Sequence, residues 1–299
     1  MEREALTYRL ARVKQGLILM EKDSLNSSHQ EPSVGFISAP AWFDPSSHDF
    51  TTAVQETVIT QQTFPLLPDF DYSLDSIASE QLTERFCLCA QSLQAAGCNL
   101  IVQVGSPFSW ANIKSEAQVR QRQARMIEAA NLPIIMTSLA IMDALRAHQV
   151  DKIAISSTYY SSSWNKHFSS FISLCGFDVL HASNFYQQGL VEAKNGVGHF
   201  KYADYAREKM SDMVKASVQS VKNATPECEA IIIVGTGART LNILRELEAI
   251  AQCPVIPADT AVYWLAAQHL RLTLSPEMGY FRNLSYQQCY RPKFDESIC

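Results

Sequence analysis

Residues 98–106 read CNLIVQVGS and residues 228–236 read CEAIIIVGT. Each is an apolar, β-branched run that ends in glycine followed by a small hydroxyl residue. Short apolar runs bounded by turn formers fit strands buried on both faces. Two further pairs keep the same order. VGFISAP at 34–40 resembles DKIAISST at 151–158, and Leu132-Pro133-Ile134-Ile135 resembles Cys253-Pro254-Val255-Ile256. The partners lie 118 to 130 residues apart, so the chain reads as two copies of one unit. In helix-covered parallel sheets, ligands bind beyond the carboxyl ends of the strands. Two such units place a ligand between facing sets of strand-end loops.

The surrounding pattern supports this reading. Strands are expected at 34–39, 58–60, 100–104, 134–137, 152–156, 177–180, 230–234 and 254–257. Helical spacing runs from Ser76 or Ser79 to Gly97, then over 113–130, 139–148, 163–174, 202–222, 239–251 and 260–270. The stretch between the first strand and Asp49 is rich in turn formers and reads as a long loop. Strands alternating with helices define an α/β class. Residues 1–33 form an N-terminal extension, 34–149 a first α/β domain joined by 270–299, and 150–269 a second. The tail from 276 is expected to pack back on the first half.

Composition excludes several function classes. The chain has 299 residues, a net charge of −5 and a pI near 5.8. Nucleic-acid binding needs a basic face, and the densest basic cluster, Arg120, Arg122 and Arg125, spirals around a helix as solvated surface. No apolar stretch reaches the ~18–20 residues of a membrane span, and the N-terminus lacks a signal peptide's apolar region. Cytoplasm is the expected compartment. The eight cysteines form no CxxC and have no zinc-like spacing. They read as reduced structural thiols, with no metal.

Gly235-Thr236-Gly237-Ala238-Arg239-Thr240 follows a strand and is expected to open a helix. Thr240 stands where a dinucleotide fingerprint needs its third glycine, which argues against NAD or FAD. What remains is an anion site: backbone N–H groups at a helix start plus the Thr236 hydroxyl. Gly105-Ser106 offers a similar turn in the other half. A tight turn alone also accounts for both glycines.

The segment Leu132 to Ala147, running into Val150 to Tyr159, resembles the middle of arylmalonate decarboxylases and maleate cis–trans isomerases, members of the aspartate/glutamate racemase superfamily. Ile231–Leu241, Val255–Trp264 and Gly279-Tyr280 resemble later parts of the same family in the same order, over about residues 34–282. The resemblance implies two pseudo-symmetric Rossmann-like (flavodoxin-like) domains, an active site between them, and no cofactor. Racemases of the family carry a catalytic cysteine on each side of the substrate, decarboxylases keep the second, and isomerases use a cysteine as nucleophile or base. Matched onto this chain, the two positions fall at Gly105 and Gly235. Cys98 and Cys228 lie seven residues earlier, roughly 23 Å along a strand, and cannot substitute.

The resemblance places substrate binding at Gly105, Ser106, Gly235, Thr236 and Gly237, and Tyr159 at the family's pocket tyrosine. Without thiols, acid–base work falls to strand-end loops, where Asp44 and His48 follow the first strand and His suits neutral pH. Tyr159 donates to an oxyanion, and Tyr160 reads as packing. Asp259 reads as a helix N-cap. Arg239 and Arg282 are candidates for a second carboxylate, or surface residues. Trp42, Trp110, Trp164 and Trp264 all follow strand ends. They either line the cleft, giving the substrate an aromatic or apolar portion, or serve as hydrophobic lids.

The expected activity is a cofactor-free decarboxylase or related lyase acting on a small carboxylic acid through an enediolate-like intermediate. A carboxylate-binding protein without catalysis and a thiol-independent isomerase or racemase are the alternatives. Nucleic acid and membrane are not expected partners; a homo-oligomer stays open.

Overall fold

The computed structural model describes residues 31–39, 44–67, 70–191 and 207–285. The chain divides into two compact units, Met1–Pro32 and Ser33–Cys299, and both sheets belong to the second. The first sheet contains β1 (Ser33–Ile37), β2 (Ile59–Thr63), β3 (Leu100–Gln103) and β4 (Ile134–Met136) in the order β2-β1-β3-β4. The second contains β5 (Lys152–Ser156), β6 (Asp178–Ser183), β7 (Ala230–Ile233) and β8 (Val255–Pro257) in the order β6-β5-β7-β8. All pairings within them are parallel. The internal repeat is thus a repeat of topology.

In each sheet the strand order reverses once, between β1 and β3 and between β5 and β7. Such switch points open a crevice beyond the strand ends where ligands bind. The central strands β1, β3 and β7 are buried throughout, including Ser33 and Gln103 among their largely apolar residues. The edge strands β2 (ITQQT) and β6 (DVLHAS) carry polar residues and stay partly exposed.

The helices are α1 (Ser46–Ala53), α2 (Leu74–Ala78), α3 (Glu80–Ala95), α4 (Pro107–Trp110), α5 (Glu116–Ala130), α6 (Thr137–Ala147), α7 (Ser162–Leu174), α8 (Arg207–Ala224), α9 (Leu244–Ala251) and α10 (Ala258–Leu270). Serine caps start several of them. Ser79 accepts from Leu82 N, Ser115 from Gln118 N and Ser161 from Trp164 N. Helices α6 and α10 are buried on nearly all sides. They pack against each other, α10 also touches β3 and β4, and α6 touches β8. A helix apolar all round needs such an interior position.

Three expectations need correction. The long loop after β1 contains α1, whose residues Asp49 and Phe50 are buried. The helix expected over 239–251 is broken: 3₁₀ turns occupy Thr236–Ala238 and Leu241–Ile243, and α-helix begins only at Leu244. Arg239 sits between them in the left-handed region, φ 52°, which no continuous helix accommodates. The tail splits its contacts. Leu274 bridges antiparallel to Val54, and Ser275 N donates to Ala53 O at 2.9 Å. The following turn, Pro276–Asn283, packs instead on α9 and α10, with Tyr280 N donating to Glu248 Oε1 at 2.9 Å.

Helix α3 lies so close to β1 that a Cβ added at Gly35 would meet Leu93 Cδ1 at 2.8 Å and Cys98 Sγ at 3.0 Å. Gly35→Ala is therefore expected to destabilise the fold by about 1–3 kcal/mol, read from the denaturation midpoint at unchanged slope.

Candidate functional site

The β7 run ends at Gly235, whose φ of 92° suits glycine. The next residues, Thr236 to Thr240, form only a 3₁₀ turn, and three aspartates bond to them. Thr236 Oγ1 donates to Asp44 Oδ2. Arg239 donates from Nε and Nη2 to the two oxygens of Asp49, at 2.9 and 2.6 Å. Thr240 donates from N and Oγ1 to Asp259, both at 2.7 Å. Asp44 and Asp49 come from the segment after β1, and Asp259 from the first turn of α10.

These carboxyls differ in electrostatics. Asp44 is only 2% exposed. Burial raises its pKa, opposed by hydrogen bonds from Ser46 and Thr236, while the nearby Asp49 charge adds to the rise. Ser46 donates to Asp44 Oδ1 from its hydroxyl and, at 2.9 Å, from its backbone N–H. Asp259 is likewise raised by burial, to about 6, despite the Thr240 donors. Desolvation wins in both because their first partners are neutral donors.

The β5 end supplies the phenols. Thr158 is buried with φ 45°, an uncommon conformation for a β-branched residue, and its Oγ1 donates to Val234 O at 2.7 Å. That turn aims the Tyr159 ring at Gly235. A Cβ added to Gly235 would collide with the Tyr159 hydroxyl and with Cζ at 2.6 Å. The phenol fills the volume that any side chain at 235 would occupy. Tyr160 turns the other way, and its hydroxyl lies 2.9 Å from Ser106 Oγ at the end of β3. Burial pushes the Tyr160 phenol well above its ordinary pKa, with Asp44 adding to the rise. Gly105, at φ 89°, has the Phe108 ring 2.7 Å from where its Cβ would stand.

Of the residues singled out from sequence, Asp44 and Thr236 are bonded directly, Gly235 meets Tyr159, and Ser106 meets Tyr160. Gly237 lies buried in the turn beyond Thr236. The helix start expected at Thr236 is a single 3₁₀ turn, Thr236–Ala238, and the Thr236 hydroxyl donates to Asp44. His48 is exposed on α1 and does not join the buried group. Trp110, 1% exposed, packs between Trp164 and Phe168 with ring centroids 6.4 and 5.7 Å away. It is core, as is Trp264 against Phe281. Trp42 lies outside the described residues. Asp259 serves Thr240 rather than acting as the N-cap of α10, a position held by Pro257.

Sequence reasoning missed Ser46, Asp49 and the polar role of Tyr160. The signal for Asp49 was available, since it lies one helical turn past Pro45 among buried α1 positions. Tyr160 carried none, because adjacent tyrosines after a strand do not reveal which one turns outward.

Two four-stranded parallel sheets, with polar side chains gathered beyond their strand ends, define an α/β fold of the doubly wound class. Residues 72–280 match the arylmalonate decarboxylase family, and the chain belongs to that family. A crystal structure of arylmalonate decarboxylase superposes with a TM-score of 0.65 at 20% identity, covering 84% of this chain and 99% of the other. The maleate isomerase Iso from Pseudomonas putida S16 gives 0.68 at 16% identity, over 84% and 98%. Nocardia farcinica maleate cis–trans isomerase gives 0.65 at 13%, over 84% and 97%. No curated protein sequence matches.

Gly235→Cys should destabilise the chain by about 1–3 kcal/mol, through positive φ and the Tyr159 clash. Adding Tyr159→Ala should recover part of that loss, and a double-mutant cycle in urea measures the coupling. Asp259 gives a pH signature. Its folded pKa lies above the unfolded one, so its favourable contribution is complete below about pH 4 and lost as pH rises through 6. Between about pH 4 and 7, wild-type stability relative to Asp259→Asn should fall by on the order of 3 kcal/mol.

Proposed function

We propose that the protein is a cofactor-independent enzyme that decarboxylates a small carboxylic acid through an enediolate-like intermediate, with Asp44 in place of a thiol as proton carrier. The supporting observation is the bond from Thr236 to Asp44. It sets a buried carboxyl of the first half beside Gly235, the position matched to the family's second cysteine. Burial favours the protonated acid, the form a proton donor needs. The Ser106–Tyr160 hydroxyl pair and the Tyr159 phenol serve as donors to the retained carboxylate, whose charge grows in the transition state.

In this reading the bond between the α-carbon and the departing carboxylate breaks, and its electron pair moves into the enediolate. Asp44 delivers its proton to the α-carbon and is reprotonated from solvent. Thr236 and Ser46 orient the acid. His48 has no part, since it faces solvent.

The test is NMR in D₂O with arylmalonates, maleate, aspartate and hydroxy acids. Carbon dioxide loss with deuterium at the α-carbon is expected, slowed at least about 10²-fold in Asp44→Asn with binding retained. Because protonated Asp44 is required, kcat should fall as pH rises, on a limb above the ordinary aspartate range. Exchange with isomerisation or inversion and no loss of carbon dioxide would favour a thiol-independent isomerase or racemase. Binding without exchange or breakdown would favour a non-catalytic carboxylate-binding protein, a reading helped by the prior engagement of the Thr236 hydroxyl.

A further inference from the structure

Strand β2 carries two adjacent glutamines, and the pleat sends them to opposite faces of the first sheet. Gln61 pairs with Gly35, and its Nε2 donates to Ala96 O, at the end of α3, at 3.0 Å. Gln62 pairs with Phe36, whose ring centroid lies 5.9 Å from that of Phe50, so it shares the face covered by α1. Ser38, the next residue on the Phe36 side of the pleat, points to that same face. Its own N–H extends the ladder to Thr63 O at 2.9 Å.

On this face the main chain of Asp44 is held at both of its polar groups. Gln62 Nε2 donates to Asp44 O and to Ser38 Oγ, each at 2.6 Å. Ser38 Oγ in turn accepts the Asp44 N–H at 3.3 Å. Helix α1 does not take up the Asp44 carbonyl, because His48 N and Asp49 N both bond Pro45 O. A buried carbonyl needs a donor, and Gln62 brings one from the edge strand. Because a carbonyl only accepts, the Gln62 amide must present its nitrogen there. The Asp44 carboxyl is gripped separately, by Ser46 and Thr236.

We propose that Gln62 and Ser38 are positioning residues that clamp the Asp44 main chain and so keep its carboxyl buried against Thr236. Their catalytic consequence rests on the reading of Asp44 as proton carrier; the clamp has a readout of its own. Without it, the segment between β1 and α1 moves toward water and the carboxyl regains solvation. The proton is then no longer presented at a fixed place. The charged and titratable groups facing Asp44 are Asp49 on α1, which is paired with Arg239, and the Tyr160 and Tyr263 phenols, both kept neutral by burial. Burial is the largest influence on the Asp44 carboxyl, so its titration reports its position.

The test follows the Asp44 carboxyl by NMR in the full-length protein isotopically labelled at aspartate Cγ, with Asp44→Asn identifying the resonance. In Gln62→Leu and in Ser38→Ala its midpoint is expected to fall by about one pH unit or more, toward the ordinary aspartate value. Gln61→Leu, the same change on the opposite face, should leave it in place. With a substrate found in the decarboxylation assay, kcat in Gln62→Leu should drop roughly tenfold or more at nearly unchanged KM. The falling limb of its pH profile should move to lower pH by the shift seen in the titration. An unmoved Asp44 midpoint in Gln62→Leu overturns the clamp. So does rapid solvent exchange of the Gln62 side-chain amide protons in the wild type, a measurement that needs no variant to fold. Full turnover in Asp44→Asn would instead remove the proton-carrier reading, and the titration alone would then decide the clamp.

Discussion

Three aspartate carboxylates hold the five residues from Thr236 to Thr240, and the geometry at the ends of the second sheet depends on them. The segment follows a fully buried strand and forms only 3₁₀ turns broken at Arg239. Asp44, Asp49 and Asp259 reach it from two other strand ends and fix Thr236, Arg239 and Thr240 in turn. Only Asp49 receives a cation, and that pair is partly open to water, with the Arg239 side chain 39% exposed. The other two rely on hydroxyl and N–H donors, which only partly offset the cost of burying charge. The consequence is a pair of carboxyls held above the ordinary range.

That constraint connects to the phenols. With Thr236 anchored by Asp44, Gly235 takes a positive φ, and the Tyr159 ring moves into the space beside it. A thiol and a phenol compete for the same volume there. The strained Thr158 turn belongs to the same arrangement, because it sends Tyr159 toward β7 and Tyr160 toward β3. One pair of adjacent tyrosines thereby serves both switch points.

Much of the fold was legible because strand burial is a one-dimensional property. The runs at 100–102 and 230–233 are apolar at every position, and both proved to lie in central strands. Ser79, one of two serines read as a helix start, does cap α3 through a local hydrogen bond to Leu82 N. Where the reading failed, a distant partner had intervened. Residues 239–243 have helical composition, yet Asp49 holds Arg239 in a left-handed conformation from 190 residues away. Trp110 follows a strand end, as a cleft residue would, but Trp164 and Phe168 enclose it.

The sequence by itself determined the repeated α/β plan, the strand-end positions of Gly105, Gly235 and Tyr159, and the candidacy of Asp44, since periodicity and chain order carry that information locally. Only the tertiary structure decided that Asp44 is buried against Thr236 while His48, four residues on, faces water. Only it decided that Tyr160 bonds Ser106 and that Arg239 is tied to Asp49. Each of these is a contact between residues far apart in the chain. Its energy depends on burial and on the angle of approach, which no stretch of sequence specifies alone.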